Sequence, residues 1–233
     1  MKKSAMTTLA HLFVIVMLCC TAGRAQIGNS KQEPKPVVIV DPVIAQTSGA
    51  GYGVISNSTY QNDYFGLRIT IPPDWNIQGD DIKQKLKEGG KAVIVPKDEL
   101  DRTQMEAAVE RTVNLLSISK FPLGEPGQFN ALFMAIAEPV PLSETAPGYM
   151  KQLRSVLQQA RVPITFVDGA ETETLNGMQF YTLTVTLTPG QSVVRQKYYV
   201  ILKKGYALGL ITTIISESDT DVMNGILRSV TIK

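Results

Sequence analysis

Apolar and polar residues alternate between Phe65 and Ile71. The apolar positions are Phe65, Leu67, Ile69 and Ile71, and the residues between them are small or polar. This period of two predicts a strand with one buried face. Pro72 and Pro73 should end that strand, because proline cannot donate a hydrogen bond to a sheet. We expect Trp75, the only tryptophan, to pack at the sheet edge. Pro72 and Trp75 are therefore markers of the fold, and Trp75→Ala should lower the free energy of unfolding by about 3–5 kcal/mol.

Two segments are apolar at both sets of alternating positions. They are Phe129–Ala137 and Tyr206–Ile215. A strand that is buried on both faces needs a covering layer on each side. Val113–Ser119 predicts a further strand, so the sheet should have several central members.

Helical spacing appears in three places. Residues 143–160 carry one apolar stripe with a polar opposite face, which predicts a helix lying on the sheet. Residues 98–112 predict a second helix, with Asp98 as its N-cap, and residues 80–88 predict a third. Between these last two, Ala92–Val95 predicts a short strand.

The C-terminal part predicts tightly connected strands. Asn176-Gly177, Pro189-Gly190 and Lys204-Gly205 each mark a turn between apolar runs. Strands joined by such short turns are antiparallel neighbours.

The last segment predicts a helix followed by a short strand at residues 230–232. Ser218, with Asp221 three residues later, resembles a capping box. The inner stripe of this helix is expected to consist of Val222, Ile226 and Leu227.

Residues 1–25 have the layout of a signal peptide. Lys2 and Lys3 precede an apolar run from Leu12 to Cys20, and small residues follow up to Ala25. The run is shorter than the about 20 residues that span a bilayer. We expect cleavage after Ala25, with Ala22 as the nearest alternative. Acylation at Cys19 or Cys20 is the other alternative, but the large residues before them do not favour it.

Three regions follow from this pattern. They are a signal peptide at residues 1–25, a flexible linker at residues 26–59, which is rich in proline, glycine and small polar residues, and one folded domain at residues 60–233. The predicted location is the periplasm or the extracellular space, with no transmembrane span after cleavage.

Removal of the signal peptide changes the chemistry of the chain. Both cysteines and the single histidine, His11, lie in residues 1–25, and loss of Lys2, Lys3 and Arg24 changes the formal charge from +2 to −1. The expected mature chain therefore excludes catalytic triads, thiol chemistry, imidazole metal sites and disulfides. A near-neutral domain also gives no electrostatic basis for binding nucleic acid. We expect no cofactor.

The opening pattern "YQNDYFGLRITIPPDW" and the closing pattern "QKYYVILKKGYALGLITTIISESDTDVMNGILRSVTIK" resemble the PsbP-like family. The resemblance covers residues 60–233 and is carried mainly by these two ends. It implies an α+β fold in which an antiparallel sheet is sandwiched between helices, an αβα sandwich. It implies little about activity, because fold does not fix function, and no metal ligand can be transferred to this chain.

Acidic residues provide the candidate chemistry for an enzyme. Glu171 and Glu173, two apart on a strand, could form a carboxylate pair, although a solvated strand is the favoured interpretation. The pairs Asp80-Asp81 and Asp219-Asp221 could contribute to a calcium site, but they lack the spacing of a calcium loop and are better interpreted as helix starts.

Basic residues provide the candidate chemistry for binding. Arg195, Lys197 and Lys203 share one face of a predicted strand with Tyr199 and Ile201. This face could bind an anion or a partner, and a solvated face is the alternative.

These features favour an exported, non-catalytic binding or assembly accessory protein of the cell envelope. Its partner would be another envelope protein or a small ligand. The alternative is an extracytoplasmic hydrolase that uses carboxylates or a metal held by oxygen ligands.

Overall fold

The computed structural model describes residues 53–96, 98–123, 130–188 and 192–233, apart from the side chains of residues 92, 93 and 100. The predicted signal peptide, most of the predicted linker and the predicted Pro189-Gly190 turn lie outside the described residues. The strands are β1 (Val54–Ser56), β2 (Thr59–Asn62), β3 (Leu67–Thr70), β4 (Asn76–Ile77), β5 (Val113–Ser119), β6 (Leu132–Pro139), β7 (Ile164–Val167), β8 (Thr172–Leu175), β9 (Met178–Leu187), β10 (Val194–Lys203), β11 (Tyr206–Ile214) and β12 (Thr231–Ile232). The helices are α1 (Asp80–Val93), α2 (Glu99–Arg111), α3 (Ala146–Leu157) and α4 (Ser218–Ser229).

The strands form two antiparallel sheets. The large sheet has the order β4-β5-β6-β11-β10-β9-β7, and β8 pairs with β9 beside this path. The small sheet has the order β1-β2-β3-β12. Pairing therefore begins at Val54, upstream of the domain start expected at residue 60.

Each face of the large sheet has its own apolar core. On one face, α1, α2 and α3 pack through Leu86, Val109, Tyr149 and Leu153. The other face is covered by α4 together with the small sheet. The predicted α+β fold, an antiparallel sheet between helices, is confirmed. The layer on the second face differs from a purely helical one, because it combines α4 with the small sheet.

The two central strands are found where the sequence predicts them. In β6, Phe133 and Ala135 contact the core under α4, whereas Met134 and Ile136 contact the core under the other helices. Strand β11 lies between β6 and β10. Both strands are therefore buried on both faces, as their sequence requires.

The predicted strand at Ala92–Val95 is wrong, because α1 continues through Gly89 and Gly90 as far as Val93. On either side of the two glycines, Lys87 and Lys91 pair with Glu110 of α2, at 3.1 and 2.6 Å. Two glycines in sequence disfavour a helix. The ion pairs with Glu110 and the burial of Leu86 stabilise the helix despite them. Only Ile94 pairs as in a sheet, in an isolated bridge to Ala160.

Two details predicted for α4 are also wrong. The N-cap is Glu217, which makes no side-chain cap hydrogen bond, so Ser218 and Asp221 do not form a capping box. Val222 is 38% exposed, whereas Met223 is buried. The inner stripe starts instead at Asp219, whose carboxylate accepts hydrogen bonds from Lys120 and Ser216. The spacing of residues within α4 cannot reveal these partners, because they lie outside the helix.

Candidate partner-binding site

The predicted basic face of β10 points toward the layer of α4 and the small sheet. Tyr199 and Ile201 are buried in the core beneath that layer. Arg195 and Lys197 precede these two residues and Lys203 follows them, so the basic residues emerge at opposite ends of the strand. Arg195 and Lys203 are eight residues apart, which corresponds to roughly 27 Å along an extended strand. They share a face, as predicted, but they lie in two separate surface regions.

At the Arg195 end, side chains of three neighbouring strands reach solvent together. The register places Lys197 between Thr184 of β9 and Thr212 of β11, and it places Arg195 between Thr186 and Ile214. We call the accessible members of this group the open strip: Thr184, Thr186, Arg195, Lys197 and Ile214.

The open strip lies on interior strands. Strands β9, β10 and β11 each have neighbours on both sides, and interior strands of a sandwich are normally covered. Arg195 is nevertheless exposed, and the other four members of the strip are half-buried. The described part of the covering layer therefore stops short of the strip.

The two cations of the strip differ in their surroundings. Lys197 forms an ion pair with Glu173 of β8, and its Nζ atom lies 5.1 Å from the centroid of the Tyr199 ring. Burial, and then the nearby Glu173, raise the pKa of Tyr199, so its hydroxyl stays protonated. Arg195 has no acidic partner among the described residues. The guanidinium of Arg195 is therefore the charge available to an incoming anion.

Glu171 and Glu173 do not form a carboxylate pair. Glu171 is exposed and precedes β8, whereas Glu173 lies on β8 and is engaged by Lys197. Within the described residues, no three acidic, cysteine or histidine side chains come close enough together to hold a metal.

Asp80-Asp81 and Asp219-Asp221 lie in the first turns of α1 and α4, where carboxylates meet the positive end of the helix dipole. The sequence did not predict that Asp219 is buried. Its carboxylate accepts from Lys120 Nζ at 2.9 Å and from Ser216 Oγ at 2.8 Å. Burial opposes ionisation, but these hydrogen bonds outweigh it and hold the pKa of Asp219 below its usual value. This residue thus joins the end of β5 to the start of α4.

Pro72 and Trp75 lie just after β3, which ends at Thr70. The Trp75 amide donates to the Pro72 carbonyl at 3.1 Å, closing a turn. The Trp75 indole is half-buried against the core beneath α4. It therefore contributes less buried surface than a fully enclosed tryptophan.

In the described residues, no helix is long and apolar enough to span a membrane. Fold and site together define an antiparallel α+β sandwich with a polar, partly basic surface on an uncovered stretch of its large sheet.

No family model matches the chain, and no curated protein matches it. Among solved structures, the chain is similar to LpqN, involved in cell envelope biogenesis of Mycobacterium tuberculosis, with 18% identity, a TM-score of 0.40, and coverage of 72% of this chain and 83% of that one. It is also similar to PsbP (CyanoP) from Synechocystis sp. PCC 6803, with 14% identity, a TM-score of 0.41, and coverage of 81% and 99%. A member of the family that the opening and closing motifs resemble is thus among the structures similar to this chain.

Proposed function

We propose that the protein is an exported, non-catalytic binding or assembly accessory of the cell envelope, and that it holds an acidic segment of another envelope protein on the open strip. The observation that carries the proposal is the exposure of Arg195 on an interior strand of an otherwise covered sheet. Export is supported by the charged start, the apolar run and the small residues of positions 1–25.

The chemistry of the open strip suits a carboxylate-bearing partner. Arg195 offers a planar fork of donors that matches a carboxylate in two parallel hydrogen bonds. The hydroxyls of Thr184 and Thr186 lie on the neighbouring strand and can donate beside it. Lys197 is engaged by Glu173 and lies over the Tyr199 ring, so Arg195 makes the main contact with an incoming carboxylate.

Capture of partners with a tagged full-length chain from the native envelope tests this function. The informative variant is Arg195→Glu, which reverses the one charge of the open strip that has no acidic partner among the described residues. Lys85→Glu is the matched control, because Lys85 is also exposed but lies on α1, against the opposite face of the sheet. Both changes are on the surface, so each should alter the free energy of unfolding by no more than about 0.5 kcal/mol.

We expect a specific protein to be recovered with the wild-type chain and with Lys85→Glu, and to be lost with Arg195→Glu. Equal recovery with both variants would remove the open strip from the proposal. Turnover of a polysaccharide or phosphoester panel by the purified chain, with no partner recovered, would favour the hydrolase instead.

A further inference from the structure

At the other end of β10, a second surface combines an exposed leucine with aromatic rings and lysines. We call it the Leu142 corner: Tyr64, Leu142, Lys203, Lys204 and Tyr206. Leu142 is 95% exposed, whereas the next most exposed large apolar side chain among the described residues, Val193, is 60% exposed. Burial of this side chain against another apolar surface would be favourable, because it would remove most of the leucine from water.

The backbone around Leu142 is held in place. Glu144 N donates to Pro141 O at 2.9 Å, which closes a turn with Leu142 at its second position. Val140 N donates to Gly205 O at 2.9 Å, so this turn is attached to the β10–β11 hairpin. The leucine is therefore presented by a fixed loop, and its burial against another surface would need little further ordering.

The aromatic members lie beside this loop. Tyr64 packs edge-on against Tyr206, with ring centroids 6.0 Å apart, and both rings also meet the buried Phe65. Tyr64 and Tyr206 are half-buried, so part of each ring faces solvent. Tyrosine at such a position has an apolar ring and a polar end, as in the aromatic belts of membrane proteins.

The lysines give the corner its charge. Lys204 Nζ lies 5.0 Å from the centroid of the Tyr64 ring, and Lys203 Nζ donates to the backbone oxygen of Lys233 at 2.7 Å. Neither lysine forms an ion pair with an Asp or Glu side chain of a described residue. The nearby acidic side chains are engaged by amides, Asp63 by Gln61 and Glu144 by Gln152. The corner thus has an apolar tip with two ammonium groups beside it, neither of which forms an ion pair with a described Asp or Glu side chain.

We propose that the Leu142 corner contacts the surface of an anionic lipid bilayer, with Leu142 entering the interface and Lys203 and Lys204 close to the lipid phosphates. An apolar side chain flanked by tyrosines and lysines matches the layered chemistry of that interface, where apolar area and positive charge act together. Because the corner and the open strip lie at opposite ends of β10, bilayer contact and partner binding can occur at once, and either proposal can fail without the other.

Co-sedimentation of the full chain with vesicles of equal parts phosphatidylglycerol and phosphatidylcholine tests the contact. Leu142→Asp should lower the partition coefficient about tenfold. Lys204→Gln should lower it about fivefold and flatten its salt dependence. Val193→Asp is the matched control, since it also removes an exposed apolar side chain, and it should leave partition unchanged. All variants share the same N-terminal apolar run, so differences between them report on the substituted surface alone.

Amide hydrogen exchange with and without vesicles locates the contact on the chain. We expect slower exchange at residues 140–145 and 203–206, together with the two losses of partition. Equal partition of wild type, Leu142→Asp and Val193→Asp would overturn the proposal, as would equal binding to pure phosphatidylcholine. Loss of a captured protein with Leu142→Asp, without any vesicle effect, would also overturn it and would make the corner a protein-binding surface.

Discussion

The turn between β8 and β9 contacts the C-terminal end of α4 through one side chain, Asn176. Loss of its Nδ2 atom should therefore lower the free energy of unfolding. Its Nδ2 donates to the carbonyl oxygens of Arg228, at 2.8 Å, and of Val230. These carbonyls lie at the C-terminal end of α4, where backbone acceptors lack partners within the helix. Asn176 has φ +48°, a conformation that asparagine and glycine tolerate best.

Asn176→Gly keeps this backbone conformation and removes both hydrogen bonds. At about 1 kcal/mol for each net hydrogen bond, the free energy of unfolding should fall by about 2 kcal/mol. For a chain of this size, that corresponds to a fall of roughly 4–8 °C in Tm. Urea unfolding and a thermal melt both measure it.

Asn176→Asp should cost more than Asn176→Gly, because a carboxylate would face two carbonyl oxygens at the negative end of the helix dipole. That environment raises the pKa of the new carboxyl above its unfolded value of about 3.9. The folded state would then bind a proton more tightly than the unfolded state. The destabilisation should therefore be complete above the raised pKa and should shrink as the pH falls through it.

Asn57 provides the matched control. It also has φ +48°, in the β1–β2 turn, and its exposed side chain makes no hydrogen bond to a described residue. Asn57→Asp should change the free energy of unfolding by less than about 0.5 kcal/mol. If Asn57→Asp and Asn176→Asp gave the same urea midpoint at neutral pH, the proposed connection between the turn and α4 would be refuted.

Three further predictions concern other contacts. Trp75→Ala should cost about 2 kcal/mol by thermal melt, less than the 3–5 kcal/mol of a fully enclosed tryptophan, and an unmoved melt would remove Trp75 from the core. Asp219→Asn should lower the free energy of unfolding by about 2 kcal/mol at neutral pH, because Lys120 loses its partner. Since folding lowers the pKa of Asp219, this difference should fade below about pH 4 in a series of urea titrations, and a constant difference would contradict it. Glu173→Gln should change the free energy of unfolding by less than about 1 kcal/mol. It should also free Lys197 to bind the acidic partner, so that the captured partner is retained at higher salt. Weaker retention would contradict the proposal that the open strip binds this partner.

Local patterns predicted much of the fold. Asn176-Gly177 and Lys204-Gly205 each adopt positive φ at both positions and join antiparallel strands, because turn geometry depends on neighbouring residues alone. Asp98 caps α2 by accepting from the Asp101 amide at 2.8 Å. The two-faced burial of β6 and β11 follows from side-chain alternation, which is equally local.

Features that depend on distant residues could not be predicted in this way. The small sheet joins β3 to β12 from opposite ends of the domain, and no local periodicity reports such a pairing. The extension of α1 depends on Glu110 of the next helix. Alternation placed Arg195 and Lys203 on one face, but it could not show that the layer over Tyr199 and Ile201 divides that face in two.

The pairing of β12 with β3 also bears on how the chain folds while it is being made. Ser229, just before β12, accepts a hydrogen bond from the Thr70 amide, 159 residues earlier. The apolar side chains of β3 can therefore become fully buried only after almost the whole domain has been synthesised. A nascent chain stopped before α4 should remain sensitive to protease, whereas the full chain should resist it. Such late closure would keep the polypeptide unfolded for longer, which suits the export proposed above.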